Sequence, residues 1–165
     1  MPSNILVAYG SKAGSTAEVA ESIGEEMKQA GAEVSVQPVE SIKDLSDYDS
    51  VVLGSAVRAF RLLGKTRRFI RRHKKALKQV PLAYFLVCLV MSEDTPENIE
   101  KAKGFAKPML KIKEPVSLGL FGGCMDPSKL EGFAAKMMQS QSYADFRDWD
   151  EIRDWARETY QKLVE

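Results

Sequence analysis

The sequence predicts an α/β fold built on a parallel sheet, and three observations carry that prediction. Strand-like and helix-like patterns alternate from end to end, with no repeat, low-complexity tract or Pro/Gly/Ser linker between them. Two of the strand segments, 50–55 and 82–90, are continuous apolar runs, as expected of strands covered on both faces. At 165 residues, 44% of them apolar and 28% charged, the chain has the length and composition of one folded domain, residues 1–165, with a core that needs no staples.

The elements follow in order. Residues 4–9 form the first strand, and the helix after it places Val19, Ile23 and Met27 on one face with Ala20 beside them. Gly31 ends that helix as a residue suited to left-handed backbone. Residues 33–39 alternate enough for an outer strand, and 50–55 form a central one. A helix over 65–79 carries Phe69, Ile70, His73, Leu77 and Val80 on its inner stripe, with Pro81 to stop it and strand 82–90 to follow. Thr95-Pro96 supplies an N-cap and a first-turn proline for a helix expected to reach Leu110. Residues 116–122 read as a fifth strand. Residues 126–147 read as an irregular segment, with a helix expected near 129–139. Asp148-Trp149-Asp150-Glu151 resembles a capping box opening the last helix, whose buried side is Ile152, Trp155, Ala156 and Leu163.

Composition excludes several function classes. The N-terminus has no leader pattern, and the longest apolar run, twelve residues from Val80 to Met91, falls short of the about 18–20 that span a bilayer. A cytoplasmic location is expected. Cys88 and Cys124 belong to no CxxC or Cys/His cluster, so two reduced core thiols are expected and no metal site. Net charge is only +1, yet the stretch between Asp49 and Glu93 has no acidic residue and ten basic ones, leaving −9 for the rest of the chain. One face is therefore strongly basic. Nucleic acid is not expected as a partner, because only Phe69 interleaves the charges and no recognition module is present. His73, the only histidine, is expected to be a packed one.

The stretch YGSKAGST, residues 9–16, carries the chemistry. It joins the first strand to the first helix with three hydroxyls and two glycines, and a helix N-terminus presents unpaired N–H groups and the positive dipole end to an anion. A P-loop is excluded because Ser15, not lysine, follows Gly14, and a GxGxxG dinucleotide loop because Gly10 and Gly14 stand alone. A phosphoacceptor domain is excluded by Tyr9-Gly10-Ser11 and Gly54-Ser55 where acidic residues are required. What remains is a loop in which the Ser11, Ser15 and Thr16 hydroxyls and the backbone N–H groups of Lys12, Ala13, Gly14, Ser15 and Thr16 close on one phosphate.

Tyr9 to Glu18 resembles the FMN phosphate loop of flavodoxins, [ST]-x-[ST]-G-x-[ST], with Ser11, Gly14 and Thr16 matching and Ala13 replacing a hydroxyl residue. The stretches 51–58 and 148–156 are similar to the flavodoxin branch that contains the menaquinone-dependent protoporphyrinogen dehydrogenases. The resemblance implies a flavodoxin-like three-layer sandwich, a five-stranded parallel sheet of order 2-1-3-4-5, and FMN as cofactor. It places the flavin ring between Ser55, Ala56, Val57 and Arg58 on one side and Val90, Met91 and Ser92 on the other. Of the aromatic residues that often flank this ring in flavodoxins, only Phe60 is near. The branch carries a basic, aromatic segment before its last helix, and the corresponding 126–145 here has Phe133, Met137, Met138 and Tyr143 but only two cations, Lys129 and Lys136.

Two functions follow as expectations. The first is an FMN-dependent oxidoreductase resembling protoporphyrinogen dehydrogenase, with a quinone-type acceptor. Its chemistry resides on the flavin, no catalytic side chain is assigned, and Arg58 and Arg61 steer an anionic substrate such as a porphyrinogen. The second is an electron carrier that docks to an acidic redox protein through the basic face and has no small-molecule substrate. Peripheral contact with a membrane surface or a quinone belongs with the first.

Overall fold

The computed structural model describes residues 3–12, 14–125 and 144–165, with Met125 by its backbone alone. The chain runs β1 (Asn4–Gly10), α1 (Ser15–Gln29), β2 (Glu33–Pro38), a 3-10 turn (Val39–Ser41), β3 (Ser50–Arg58), β4 (Arg61–Leu62) and α2 (Gly64–Leu77). It continues through β5 (Leu82–Cys88), a second 3-10 turn (Leu89–Ser92), α3 (Pro96–Phe105), α4 (Lys107–Leu110), β6 (Leu118–Gly122), β7 (Cys124–Met125), β8 (Ala144–Asp145) and α5 (Trp149–Leu163). The helix expected near 129–139 lies outside the described residues.

The five long strands are parallel and ordered β2-β1-β3-β5-β6, which is 2-1-3-4-5 counted in order of appearance. A sixth strand that the sequence did not announce, β4, folds back antiparallel on the end of β3. With only two residues it has no alternation to read. Period-2 alternation sends Leu6, Val51, Leu53, Tyr84 and Leu86 to one face of the sheet, where Phe69, Ile70 and Leu77 of α2 and Met109 of α4 cover them. Ile5, Val7, Val52, Phe85 and Val87 point to the other face, beneath Val19, Ile23 and Met27 of α1 and Ile152, Ala156 and Leu163 of α5. The result is three layers.

Several element ends differ from the sequence reading. Gly31, at φ 110, does close α1. Helix α2 stops at Leu77 rather than Gln79, since the chain tightens before Pro81 with Gln79 donating to the Ala76 carbonyl and Val80 to that of Leu77. The helix expected to run from Thr95 to Leu110 breaks at Ala106. Pro108 has no N–H to give the Gly104 carbonyl, and it restarts the chain in the first turn of α4. The Thr95 side chain caps α3 by accepting from Asn98 N, and Asp148 caps α5 by accepting from Glu151 N. The fifth parallel strand is regular only from Leu118, although Val116 N already donates to the Leu82 carbonyl at 2.7 Å.

His73 is buried on the inner side of α2 with its ring 4.6 Å from that of Phe69. Burial, with Arg72 near, pulls its pKa below the ordinary histidine value. Among the described residues no helix is long and apolar enough to cross a membrane, and no group of three or more His, Cys, Asp or Glu could hold a metal ion.

Candidate functional site

The chain leaves β1 towards β2 on one side and returns to β3 on the other, so strand order reverses between β1 and β3. Ligands of open α/β sheets bind beyond the carboxyl ends of the strands at such a point. Three loops meet there: 11–14 after β1, the 59–60 turn after β3 and the 89–92 turn after β5.

The floor is set by Gly10, the last residue of β1. A Cβ on Gly10 would run into Thr66 Oγ1, and that oxygen lies 2.9 Å from Ser55 Oγ. Only glycine lets the first turn of α2 close over the strand end. Above the floor, Ser11 Oγ accepts a hydrogen bond from Gly14 N at 3.1 Å, and Gly14 adopts left-handed backbone, φ 92, at the N-cap of α1. Among the described residues no side chain caps α1. The Gly14 N–H is thus used within the loop, whereas the N–H groups of the first turn have no side-chain partner among the described residues. The Thr16 side chain is fully buried in that turn, and its Oγ1 has no partner among the described residues. A buried hydroxyl left unpaired is costly. A phosphate at the N-terminus of α1 would supply both the acceptor and the negative charge that this helix end favours. Ser15 is half-buried and Lys12 exposed, while Ala13 lies outside the described residues.

Two cations brace this loop from opposite sides, and the sequence reading singled out neither. Lys65 Nζ donates to the Ser11 carbonyl at 2.9 Å and to Glu40 Oε2 at 2.8 Å. Burial, the largest single effect, pushes the Glu40 carboxyl up, but the Lys65 hydrogen bond, a backbone hydrogen bond and the Lys65 charge together outweigh it and the pKa settles below the usual value. Arg147 reaches the Ser15 carbonyl at 3.3 Å and Glu18 at 3.1 Å through Nη1, grips Asp145 through Nη2 at 2.7 Å, and lies 4.8 Å over the Trp149 ring. Its side chain is 6% exposed. In the sequence Lys65 is one of the ten cations of the basic run and Arg147 the last residue of the irregular segment. The one local hint was the closeness of Asp145 to Arg147, just ahead of the Asp148 cap.

Arg147→Ala is expected to cost about 2 kcal/mol of stability. That is less than for a fully buried pair, because Glu18 is half exposed. Urea unfolding measures it, and a midpoint equal to the wild type would show that the brace carries no weight.

The residues expected around a flavin ring fall on two neighbouring strands. Ser55 is fully buried and turned to Thr66, so its side chain ties β3 to α2 instead of facing the cleft. Ala56, Val57 and Arg58 are half-buried at the end of β3. Val90 and Met91 are half-buried and Ser92 exposed in the turn after β5. Beneath that turn Cys88 is buried, and burial lifts its thiol to about 11 despite the Met91 and Val90 N–H groups that face it. Cys124, expected in a buried strand, is only half-buried at the start of β7.

The turn after β3 is costly. Ala59 and Phe60 both have positive φ, 51 and 61, with no glycine to ease the two-residue connection. Arg58 and Arg61 sit directly opposite each other across it, a like-charge pair on one face. Phe60 is 76% exposed, its ring 6.1 Å from that of Phe105. A separate groove of about 590 Å³ lies away from these loops, between β6 and α5, and is lined by Leu118, Leu120 and Trp155 with Asp150, Asp154 and Glu158.

The fold is flavodoxin-like, and comparison with known families agrees: the Flavodoxin domain model matches residues 6–143, so the chain belongs to that family. It is an FMN-binding redox protein. Protoporphyrinogen IX dehydrogenase [quinone] of Escherichia coli (strain K12) is 24% identical over 169 residues, covering 93% of this chain and 92% of that one. Among solved structures, a flavodoxin from the domain Archaea superposes with a TM-score of 0.61 at 18% identity, covering 98% of this chain and 99% of its own. Megasphaera elsdenii flavodoxin superposes with a TM-score of 0.63 at 15% identity, covering 95% and 98%. At these identities the structures speak for the fold alone.

Proposed function

We propose that this chain is an FMN-dependent oxidoreductase acting on an anionic substrate of the porphyrinogen kind and passing electrons to a quinone-type acceptor. Residues 11–16 hold the FMN phosphate. The ring lies between Ala56, Val57 and Arg58 on one side and Val90, Met91 and Ser92 on the other, with Ser55 supporting β3 from behind. Bound there, FMN supplies the two-electron chemistry. The protein orients it through the uncapped helix end and the Lys65 and Arg147 braces.

The observation that carries the substrate side is the Arg58/Arg61 pair around exposed Phe60. A sheet gains nothing from placing like charges opposite each other on a left-handed turn without glycine. A flat, carboxylated ligand offsets both costs, because guanidinium groups pair with carboxylates and the ring offers apolar contact. The full-length similarity to a protoporphyrinogen dehydrogenase points the same way. Contact with a quinone at a membrane surface belongs to this reading, and the location is cytoplasmic or peripheral.

The test is an anaerobic visible spectrum of the FMN-loaded chain before and after protoporphyrinogen, with dithionite added last. Bleaching by the porphyrinogen alone is expected. The Arg58→Ala/Arg61→Ala variant is expected to raise the KM for that substrate about tenfold to hundredfold and to bleach normally with dithionite. A second reading, an electron carrier without small-molecule substrate, is favoured by the basic outer face of α2, where Arg68, Arg71, Arg72, Lys74 and Lys75 join no ion pair among the described residues. Bleaching by dithionite only would establish it over the first.

A further inference from the structure

Helix α2 has an outer face of one sign. Arg68, Arg71, Arg72, Lys74, Lys75 and Lys78 are all exposed, and among the described residues none of the six joins an ion pair. Spacings of three and four residues put them beside one another: 68 by 71 and 72, 71 by 74 and 75, 74 and 75 by 78. A merely solvated helix face mixes signs, because like charges at these spacings destabilise the helix. Helix α5 does mix them, with Arg153 on Asp150 and Arg157 on Asp154. The first turn of α2 also lacks any acidic residue, so Lys65, Arg67 and Arg68 add to the positive pole of the helix.

That pole is at the cofactor end, where Lys65 touches Ser11 and Thr66 lies over Gly10. On the opposite face of the sheet, α1 carries Glu18, Glu21, Glu25 and Glu26, and the groove beside α5 adds Asp148, Asp150, Glu151, Asp154 and Glu158. Four of those carboxylates, Glu18, Glu26, Asp150 and Asp154, are paired with Arg147, Arg157 and Arg153, so that face is mixed in sign while the outer face of α2 is not, and an anionic body is drawn to α2.

We propose that the outer face of α2 is the docking surface for an acidic partner protein. A lipid surface fits less well. The exposed large apolar side chains of the described residues are Phe60, Leu89, Leu110, Phe146 and Val164, none of them on α2, so the helix has no side chain to bury among acyl chains. The surface is a docking site whichever of the two functional readings holds.

The experiment is fluorescence anisotropy of a labelled acidic ferredoxin titrated with the chain, with and without FMN, at low and near-physiological salt. Binding at low salt is expected to weaken at least about tenfold by 0.2 M salt. Arg71→Glu/Lys75→Glu is expected to abolish it while keeping the wild-type urea midpoint and FMN spectrum. Because the FMN-free arm needs no flavin, failure here is separable from failure of the cofactor assignment. Binding that is insensitive to the double variant would overturn the proposal. So would charge-reversal-sensitive capture of phosphatidylglycerol vesicles or duplex DNA with no ferredoxin binding, or salt-sensitive self-association of the chain with no ferredoxin binding.

Discussion

Thr16→Val is expected to move two quantities in opposite directions: FMN affinity falls about tenfold to hundredfold, while the FMN-free chain becomes as stable as the wild type or more so. The Thr16 hydroxyl is fully buried and unpartnered among the described residues. Without an anion it carries a desolvation penalty of about 1–3 kcal/mol, which valine, nearly the same shape, removes. With a phosphate at the helix end the same hydroxyl donates to a charged acceptor, a bond of about 1.5–3 kcal/mol that valine forfeits. Flavin fluorescence titration and urea unfolding of the FMN-free protein measure the two effects. A general packing defect would lower both. Unchanged affinity would remove Thr16 from the phosphate site.

Gly54→Ala is expected to be the most damaging single methyl group in the sheet, at about 3 kcal/mol, or roughly 6–12 °C in Tm for a chain of this size. Gly54 pairs with Phe85 across β3 and β5, and a Cβ there would run into the Phe85 ring. That ring cannot swing aside. It is fully buried, with the Trp155 ring at 6.2 Å and the Phe121 ring at 6.3 Å. Phe85→Leu added to Gly54→Ala is expected to recover part of the loss, so the two substitutions should be clearly non-additive. Scanning calorimetry of the single and double variants checks this. A Gly54→Ala protein within about 0.5 kcal/mol of wild type would show that the glycine is not required by packing.

What the sequence disclosed follows from the range of each interaction. The apolar run from Ile5 to Ala8 and the stripe at Val19, Ile23 and Met27 are local patterns, and their residues are buried in the two cores. The turn between β1 and α1 was legible as a candidate phosphate site because its hydroxyls are neighbours in sequence. Its supports were not, since Lys65 lies 54 residues from Ser11 and Arg147 lies 132 residues from Ser15. Pairings that distant exist only once the sheet has assembled. The inward turn of Ser55 was hidden for the same reason, as its partner Thr66 belongs to α2. The break at Ala106 was readable in principle from Pro108, but the apolar periodicity through Met109 outweighed it. The strain at Ala59 and Phe60 had no signal at all, because neither residue type announces positive φ.

The central claim is that the turn between β1 and α1 holds the phosphate of FMN. Riboflavin, which is FMN without that phosphate, tests it most directly: both flavins are titrated into the FMN-free chain and into Ser11→Ala/Thr16→Ala, with flavin fluorescence as the readout. The account predicts that the wild type binds FMN at least about a hundredfold tighter than riboflavin, and that the double variant closes most of the gap by losing FMN affinity alone. Equal affinity of the wild type for the two flavins would contradict it.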